Sequence, residues 1–134
     1  AAVPVVATAQ TPEVALRATL APAAADGTAQ LDLAVTMTAP WHIYAHEPES
    51  AIVTPTVVTI TPPEGGEVLG IDYPAGIDFV FAGEPCLVYA DTVTIPARLK
   101  LPPGAGPIQA AIRFQACDDN SCLRPTTLKV ELTP

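Results

Sequence analysis

Positive charge is scarce in this chain. Six lysines and arginines stand against fourteen aspartates and glutamates, for a formal net charge of −8, and the six are scattered. A surface built for nucleic acid or for an anionic membrane is thereby excluded, and the acidic excess serves solubility and contact with other proteins. No apolar run approaches the ~18 residues that a membrane-spanning helix needs, so no direct membrane insertion of this segment is expected. Helical periodicity is missing as well, and sixteen prolines spread along 134 residues exclude long helices. Cysteines number only three, too few for a disulfide-dense framework. Nor does the chain offer a Ser-His-Asp spacing, a glycine-rich phosphate loop or carboxylates paired in a defined geometry.

What is abundant is β-branched and aliphatic residues in alternation. Val14, Leu16, Ala18 and Leu20 alternate with Arg17 and Thr19. Leu31, Leu33, Val35 and Met37 face one way while Asp32, Thr36 and Thr38 face the other. Val93, Ile95, Ala97, Leu99 and Leu101 repeat the pattern with Pro96 on the outward side, which suits an edge strand or a bulge. Leu128, Val130 and Leu132 close the chain. Some eight to ten short strands with turn signals every 8 to 15 residues predict an all-β fold, an immunoglobulin-like β-sandwich. A chain of this length buries one core without help from disulfides. Residues 12–134 form that single domain. Residues 1–11 are expected as a flexible N-terminal segment, in which Ala7-Thr8-Ala9 has the small-x-small form of a signal-peptidase site and suggests export.

Chemistry concentrates at Cys117 and Cys122. The strand Ile108, Ala110, Ile112, Phe114 runs into the first, and Asp118, Asp119, Asn120 and Ser121 then favour a chain reversal, because their side chains bond local backbone. A bridge between the two sulfurs closes a ring of about six residues, worth roughly 2 kcal/mol by chain entropy. That leaves three uses open: a redox pair, a structural disulfide in an interaction module, or thiolate ligands, joined by Cys86 or His42, for Zn or Cu(I). His42 and His46 would share a helix face but lie about 13 Å apart on a strand, which argues against a joint site. Phe79 and Phe81, in a segment punctuated by glycine and proline, need something to cover, either the end of a core or a reactive group. Asp118 and Asp119 raise the pKa of a neighbouring thiol, with Arg113 and Arg124 as the cations available to offset them, so the expected thiol is a sluggish one that its partner activates.

The run Phe114-Gln-Ala-Cys117 to Cys122-Leu-Arg-Pro125, preceded by Trp41-His-Ile-Tyr44 and by Gly83 to Pro96, resembles the N-terminal periplasmic domain of the bacterial thiol:disulfide interchange protein DsbD over most of residues 12 to 132. The resemblance implies an immunoglobulin-like sandwich with a redox-active Cys117/Cys122 pair, without a cofactor or metal. It implies a protein-disulfide reductase component in the bacterial periplasm, taking electrons from a thioredoxin-like or membrane donor and passing them to other exported thiol proteins, in a native context beside a membrane domain or a thioredoxin-like fold. By position, Cys122 would form the mixed disulfide and Cys117 would resolve it. Phe81, with Phe79, would provide an aromatic cap, and Tyr44 would be the aromatic beside the pair. Three features depart from the family pattern: four residues rather than five between the cysteines, Leu-Arg-Pro in place of a Tyr-Pro-Pro ending, and Cys86, a possible third thiol without a counterpart.

Overall fold

The computed structural model describes residues 3–48, 53–81 and 83–134. The acidic loop expected at residues 47–50 therefore lies partly outside the described residues. Twelve strands and no helix make up the described chain: β1 Val5–Gln10, β2 Val14–Leu20, β3 Thr28–Met37, β4 His42–Tyr44, β5 Val57–Thr61, β6 Glu67–Ile71, β7 Ile77–Phe81, β8 Glu84–Tyr89, β9 Thr92–Lys100, β10 Ile108–Phe114, β11 Ala116–Cys117 and β12 Thr126–Leu132. They form three antiparallel sheets, with strand orders β1-β2-β3-β9-β6, β12-β10-β5 and β11-β4-β8-β7. The architecture is the all-β, immunoglobulin-like sandwich that the alternation predicts.

The core follows from that alternation. Leu16, Ala18, Leu31, Leu33, Val35, Ile95, Ala97 and Leu99 on the five-stranded sheet meet Ile108, Ala110, Ile112 and Phe114 of β10 and Leu128, Val130 and Leu132 of β12. All of these residues are buried, and removing their apolar area from water supplies most of the folding drive.

Two expectations differ from the structure. The leading segment is not wholly flexible, since Val5–Gln10 pairs with β2 in continuous register from Val5↔Leu20 to Gln10↔Ala15. Val5, Ala7 and Ala9 pack half-buried on the core. An uncharged run of Val, Ala and Thr needs little else to extend a sheet by main-chain pairing.

The strand carrying Pro96 is also not at an edge, because β9 lies between β3 and β6. Pro96 is tolerated there because β6 ends beside it. The last β6 pair is Ile71↔Ala97, and the Pro96 carbonyl accepts a bond from the Asp72 N–H. A residue's N and O point to the same side of an antiparallel strand, so the missing N–H faces the point where the neighbouring ladder has already stopped.

At Gln115 the chain leaves one sheet for another. β10 pairs with β12 and β5, whereas β11, beginning one residue after Gln115, pairs with β4. That switch carries Cys117 out of the main sandwich and onto the four-stranded sheet.

Candidate redox site on the small sheet

The register of the four-stranded sheet sorts its side chains onto two faces. Directly opposed residues share a face, and residues two apart on a strand share it again. Ala116, Ile43 and Tyr89 therefore point one way, into the main core, with Leu87 packed against it. Cys117, His42, Tyr44, Val88, Cys86 and Phe79 point the other way. There Tyr44, Cys86, Val88 and Cys117 form a second, smaller apolar cluster, against which Val53, Phe79 and Cys122 pack.

Cys117 and Cys122 are joined in a disulfide, with their Cα atoms 4.0 Å apart. The expected chain reversal forms between them. The Asp118 carboxylate accepts from the Asn120 and Ser121 N–H groups at 2.9 and 2.7 Å, and the Asp118 N–H bonds the Ser121 carbonyl at 2.9 Å. These bonds hold the Asp118 carboxyl below its usual pKa. The turn thus keeps a negative charge beside the pair. Arg113 and Arg124 are exposed, and among the described residues the ion pair is Arg98 with Asp72, remote from the sulfurs, so nothing in the contacts offsets that charge.

The two sulfurs are not equivalent. Cys117 is fully buried, whereas Cys122 is partly exposed. The Tyr44 hydroxyl lies 3.5 Å from the Cys117 sulfur and 3.7 Å from that of Cys122, close enough for its O–H to donate to either. Burial raises the Tyr44 pKa, with the Cys86 thiol adding to it, so the phenol remains a proton donor. The Tyr44 backbone is held in turn, because the buried Thr56 hydroxyl donates to its carbonyl.

Phe79 packs against this cluster and sets its ring centroid 4.2 Å from that of His42. Phe81 lies one step nearer the tip of the β7–β8 hairpin, opposite Glu84. Phe79 is therefore the aromatic in contact with the site's side chains, although the motif pointed first to Phe81.

Cys86 is a free thiol, buried in the same cluster, and burial pushes its pKa up. Its strand β8 is separated from β11 by β4, about 9.5 Å across the sheet, and the register sets Cys86 opposite position 46 of the β4 strand line, about 13 Å further along than Cys117, which is opposite His42. A disulfide needs Cα atoms within about 7 Å, so a direct bridge would require backbone movement.

The histidines part company, as a strand requires. His46 stacks on Tyr73 with ring centroids 3.5 Å apart and bonds the Thr56 carbonyl through Nδ1. His42, which the sequence joined to the cysteines only as a candidate metal ligand, belongs to the site in another way. It is the cross-strand partner of Cys117 and is 96 % buried, being 4 % exposed. Among the described residues, no three His, Cys, Asp or Glu side chains converge as ligands of a metal ion.

Desolvation lowers the His42 pKa below its ordinary 6.5, against opposing contributions from a hydrogen bond to the Pro40 backbone and from Asp119 and Asp118. The folded protein therefore resists protonating this ring more than the unfolded chain does. The resulting stability is complete above pH 6.5 and is lost as pH falls through the lower folded value. Asp26 and Asp118, whose pKa values are lowered from 3.8, act in the same sense only below that value. The unfolding free energy of the oxidised protein, followed by urea titration, is expected to decline between pH 6.5 and 3.8, and His42→Phe to flatten the decline. An unchanged slope in that variant would assign the decline to other groups.

Fold and site together define an immunoglobulin-like domain that carries a half-covered cysteine pair at one end of its smaller sheet. The chain belongs to the family described as "Thiol:disulfide interchange protein DsbD, N-terminal", which it matches over residues 7–134. The Cys117–Cys122 bridge supplies the disulfide that a thiol–disulfide exchange domain needs. Among solved structures, the chain is similar to the N-terminal periplasmic domain of ScsB from Proteus mirabilis, with a TM-score of 0.74 and 19 % identity. That alignment covers 94 % of this chain but 49 % of the ScsB chain, so the present chain spans about half its length. It is also similar to the N-terminal domain of Neisseria meningitidis DsbD in the reduced form, with a TM-score of 0.59 and 12 % identity over 89 % of this chain and 85 % of the other. No curated protein sequence matches the chain.

Proposed function

We propose that the domain is an electron carrier of the bacterial periplasm, taking electrons from a thioredoxin-like or membrane donor and passing them to other exported thiol proteins. The observation that carries this reading is the asymmetry of the bridge: one sulfur is open to attack and the other is fully buried against a phenol donor. Exchange needs one accessible sulfur and a second close enough to release the mixed disulfide.

In the proposed cycle a donor thiolate attacks the Cys122 sulfur, the Cys117–Cys122 bond breaks, and its electron pair leaves on Cys117. The donor's second thiolate then attacks its own sulfur in the mixed disulfide and frees Cys122. In the outgoing half, the Cys122 thiolate attacks an acceptor protein's disulfide, and Cys117 resolves the product by re-forming the bridge. Phe79 covers the cluster between encounters. Cys86 packs in the core of that cluster and takes no electrons, in keeping with its high pKa and its place two strands from Cys117. The export suggested by the sequence agrees with the periplasmic source of the ScsB domain.

The test is the reduction potential of the pair, measured by equilibration in graded glutathione or dithiothreitol buffers with trapping of free thiols. A value between about −270 and −120 mV, the span of exchange proteins, is expected. A pair that remains oxidised below about −300 mV would be a structural disulfide, and the carrier function would fall.

A further inference from the structure

We infer that His42 is the group that takes the proton from the Cys117 thiol when this cysteine resolves a mixed disulfide, and returns it when the bridge opens. This rests on the exchange cycle proposed above and adds a residue to it.

The inference begins from an unsatisfied atom. His42 Nε2 is buried and has no hydrogen-bond partner in the oxidised protein. The Pro40 backbone favours a proton on the ring, and a proline can do so only through its carbonyl, as an acceptor. A neutral imidazole that keeps its proton on Nδ1 leaves Nε2 as a bare lone pair in a dry environment, where an unfilled acceptor is costly.

Reduction creates a new donor on the opposed strand, the Cys117 thiol. His42 and Cys117 are opposite one another in the β4–β11 ladder, on the same face of the sheet. Opposed Cβ atoms lie about 4.5–5.5 Å apart, a separation that an imidazole spans. In the oxidised protein the Cys117 sulfur carries no hydrogen. Reduction gives it one, and the S–H then supplies the partner that Nε2 lacks. Opening and closing of the bridge thus couples to the filling and emptying of one acceptor.

The surroundings suit the task. Phe79 of β7 closes over the imidazole, and Tyr44 of the same strand meets it edge-on at 6.4 Å. The charged groups that act on the ring are Asp118 and Asp119 of the turn that follows Cys117, and Tyr44 and Cys86 are the other titratable groups of the cluster. Burial keeps Nε2 unprotonated near neutral pH, while the two aspartates stabilise the imidazolium formed in passing.

Each step balances. During resolution the Cys117 S–H proton moves to Nε2, the thiolate attacks the Cys122 sulfur, and the acceptor leaves with the electron pair as a thiolate. The imidazolium then passes its proton to the departing thiolate or to water and is neutral again. In the reverse direction the ring first takes up the proton released as the donor thiol ionises, and hands it to the Cys117 thiolate as the bridge opens. Tyr44 donates a hydrogen bond to the sulfur throughout and keeps its own proton.

Resolution can be observed without a protein partner by mixing the reduced chain with one equivalent of Ellman's reagent. A first thionitrobenzoate is released when Cys122 is capped, and a second when Cys117 displaces it. His42→Phe is expected to leave the first phase unchanged. It should slow the second by roughly tenfold or more at pH 7 and remove the limb of its pH profile that His42 sets. A folded variant with an unaltered second phase and pH profile would overturn the assignment.

A second measurement does not depend on that variant's folding. In the wild-type protein, the Nε2 nitrogen resonance of His42 is expected to shift on reduction with dithiothreitol as the lone pair gains its S–H partner. The Nδ1 resonance, whose nitrogen gains no partner on reduction, should move less. An Nε2 resonance that does not respond to reduction would overturn the proposal. Failure of the wild-type chain to exchange with any thioredoxin-like protein would instead strike at the carrier cycle, and leaves this chemical readout intact.

Discussion

Cys122→Ser is expected to abolish exchange, with a loss on the order of 10³-fold or more, because residues that act as one unit lose nearly all activity when either is removed. Cys117→Ser should fail differently. Cys122 is the exposed sulfur and keeps its nucleophile, so this variant still attacks a partner disulfide but cannot release the product, and a mixed disulfide accumulates. Non-reducing electrophoresis after mixing with an oxidised thioredoxin-like protein separates the two outcomes. Both variants lose the same bridge over the same short ring, a cost of about 2 kcal/mol, so their thermal midpoints should fall together. That shared loss makes the comparison decisive, since stability cannot account for a difference in trapping. Equal trapping by both, or trapping by Cys122→Ser alone, would reverse the roles given to the sulfurs.

The sandwich was legible because its strands bury one face. The alternation through Leu31, Leu33, Val35 and Met37 is reproduced residue for residue in the buried set, and so is that of Ile108 to Phe114. Less legible was anything decided by neighbours distant in sequence. Pro96 reads as an edge residue until β6 is seen to end beside it. Val5–Gln10 buries little on its own and becomes a strand only because β2 has a free edge to offer.

The same division holds at the site. The cysteines, Tyr44 and the polar turn could be picked out from local sequence and motif. His42 could be joined to them only as a candidate metal ligand, because its place opposite Cys117 arises from the pairing of β4 with β11 after the chain changes sheets at Gln115. Phe79 and Phe81 have the same parity and point to the same face, so the choice between them rests on how the β7–β8 hairpin lies over the sheet, which periodicity does not encode.

Tyr44 separates packing from chemistry most sharply, because one side chain does both. It is among the largest fully buried side chains of the domain, at 1 % exposed, and its hydroxyl is within bonding distance of both sulfurs. Tyr44→Ala removes the ring from the centre of the small cluster and is expected to destabilise the fold by about 3–5 kcal/mol, the usual result of truncating a buried aromatic. A domain stable by about 5–15 kcal/mol would be left marginal, so loss of activity in that variant would be uninformative. Tyr44→Phe keeps the ring and loses only the donor. The hydroxyl's bonds to disulfide sulfur are long, and their loss should change the unfolding free energy of the oxidised protein by less than about 1 kcal/mol. The thiolate expelled onto buried Cys117 is another matter, because a hydrogen bond to a charged group is worth about 1.5–3 kcal/mol. Opening of the bridge by dithiothreitol should therefore slow by about ten- to a hundredfold in Tyr44→Phe, at nearly unchanged stability. Stopped-flow reduction alongside urea unfolding measures both quantities on one sample. A phenylalanine variant that is reduced as fast as the wild type would confine Tyr44 to packing, and would leave His42 as the group that makes the buried Cys117 thiolate a workable leaving group.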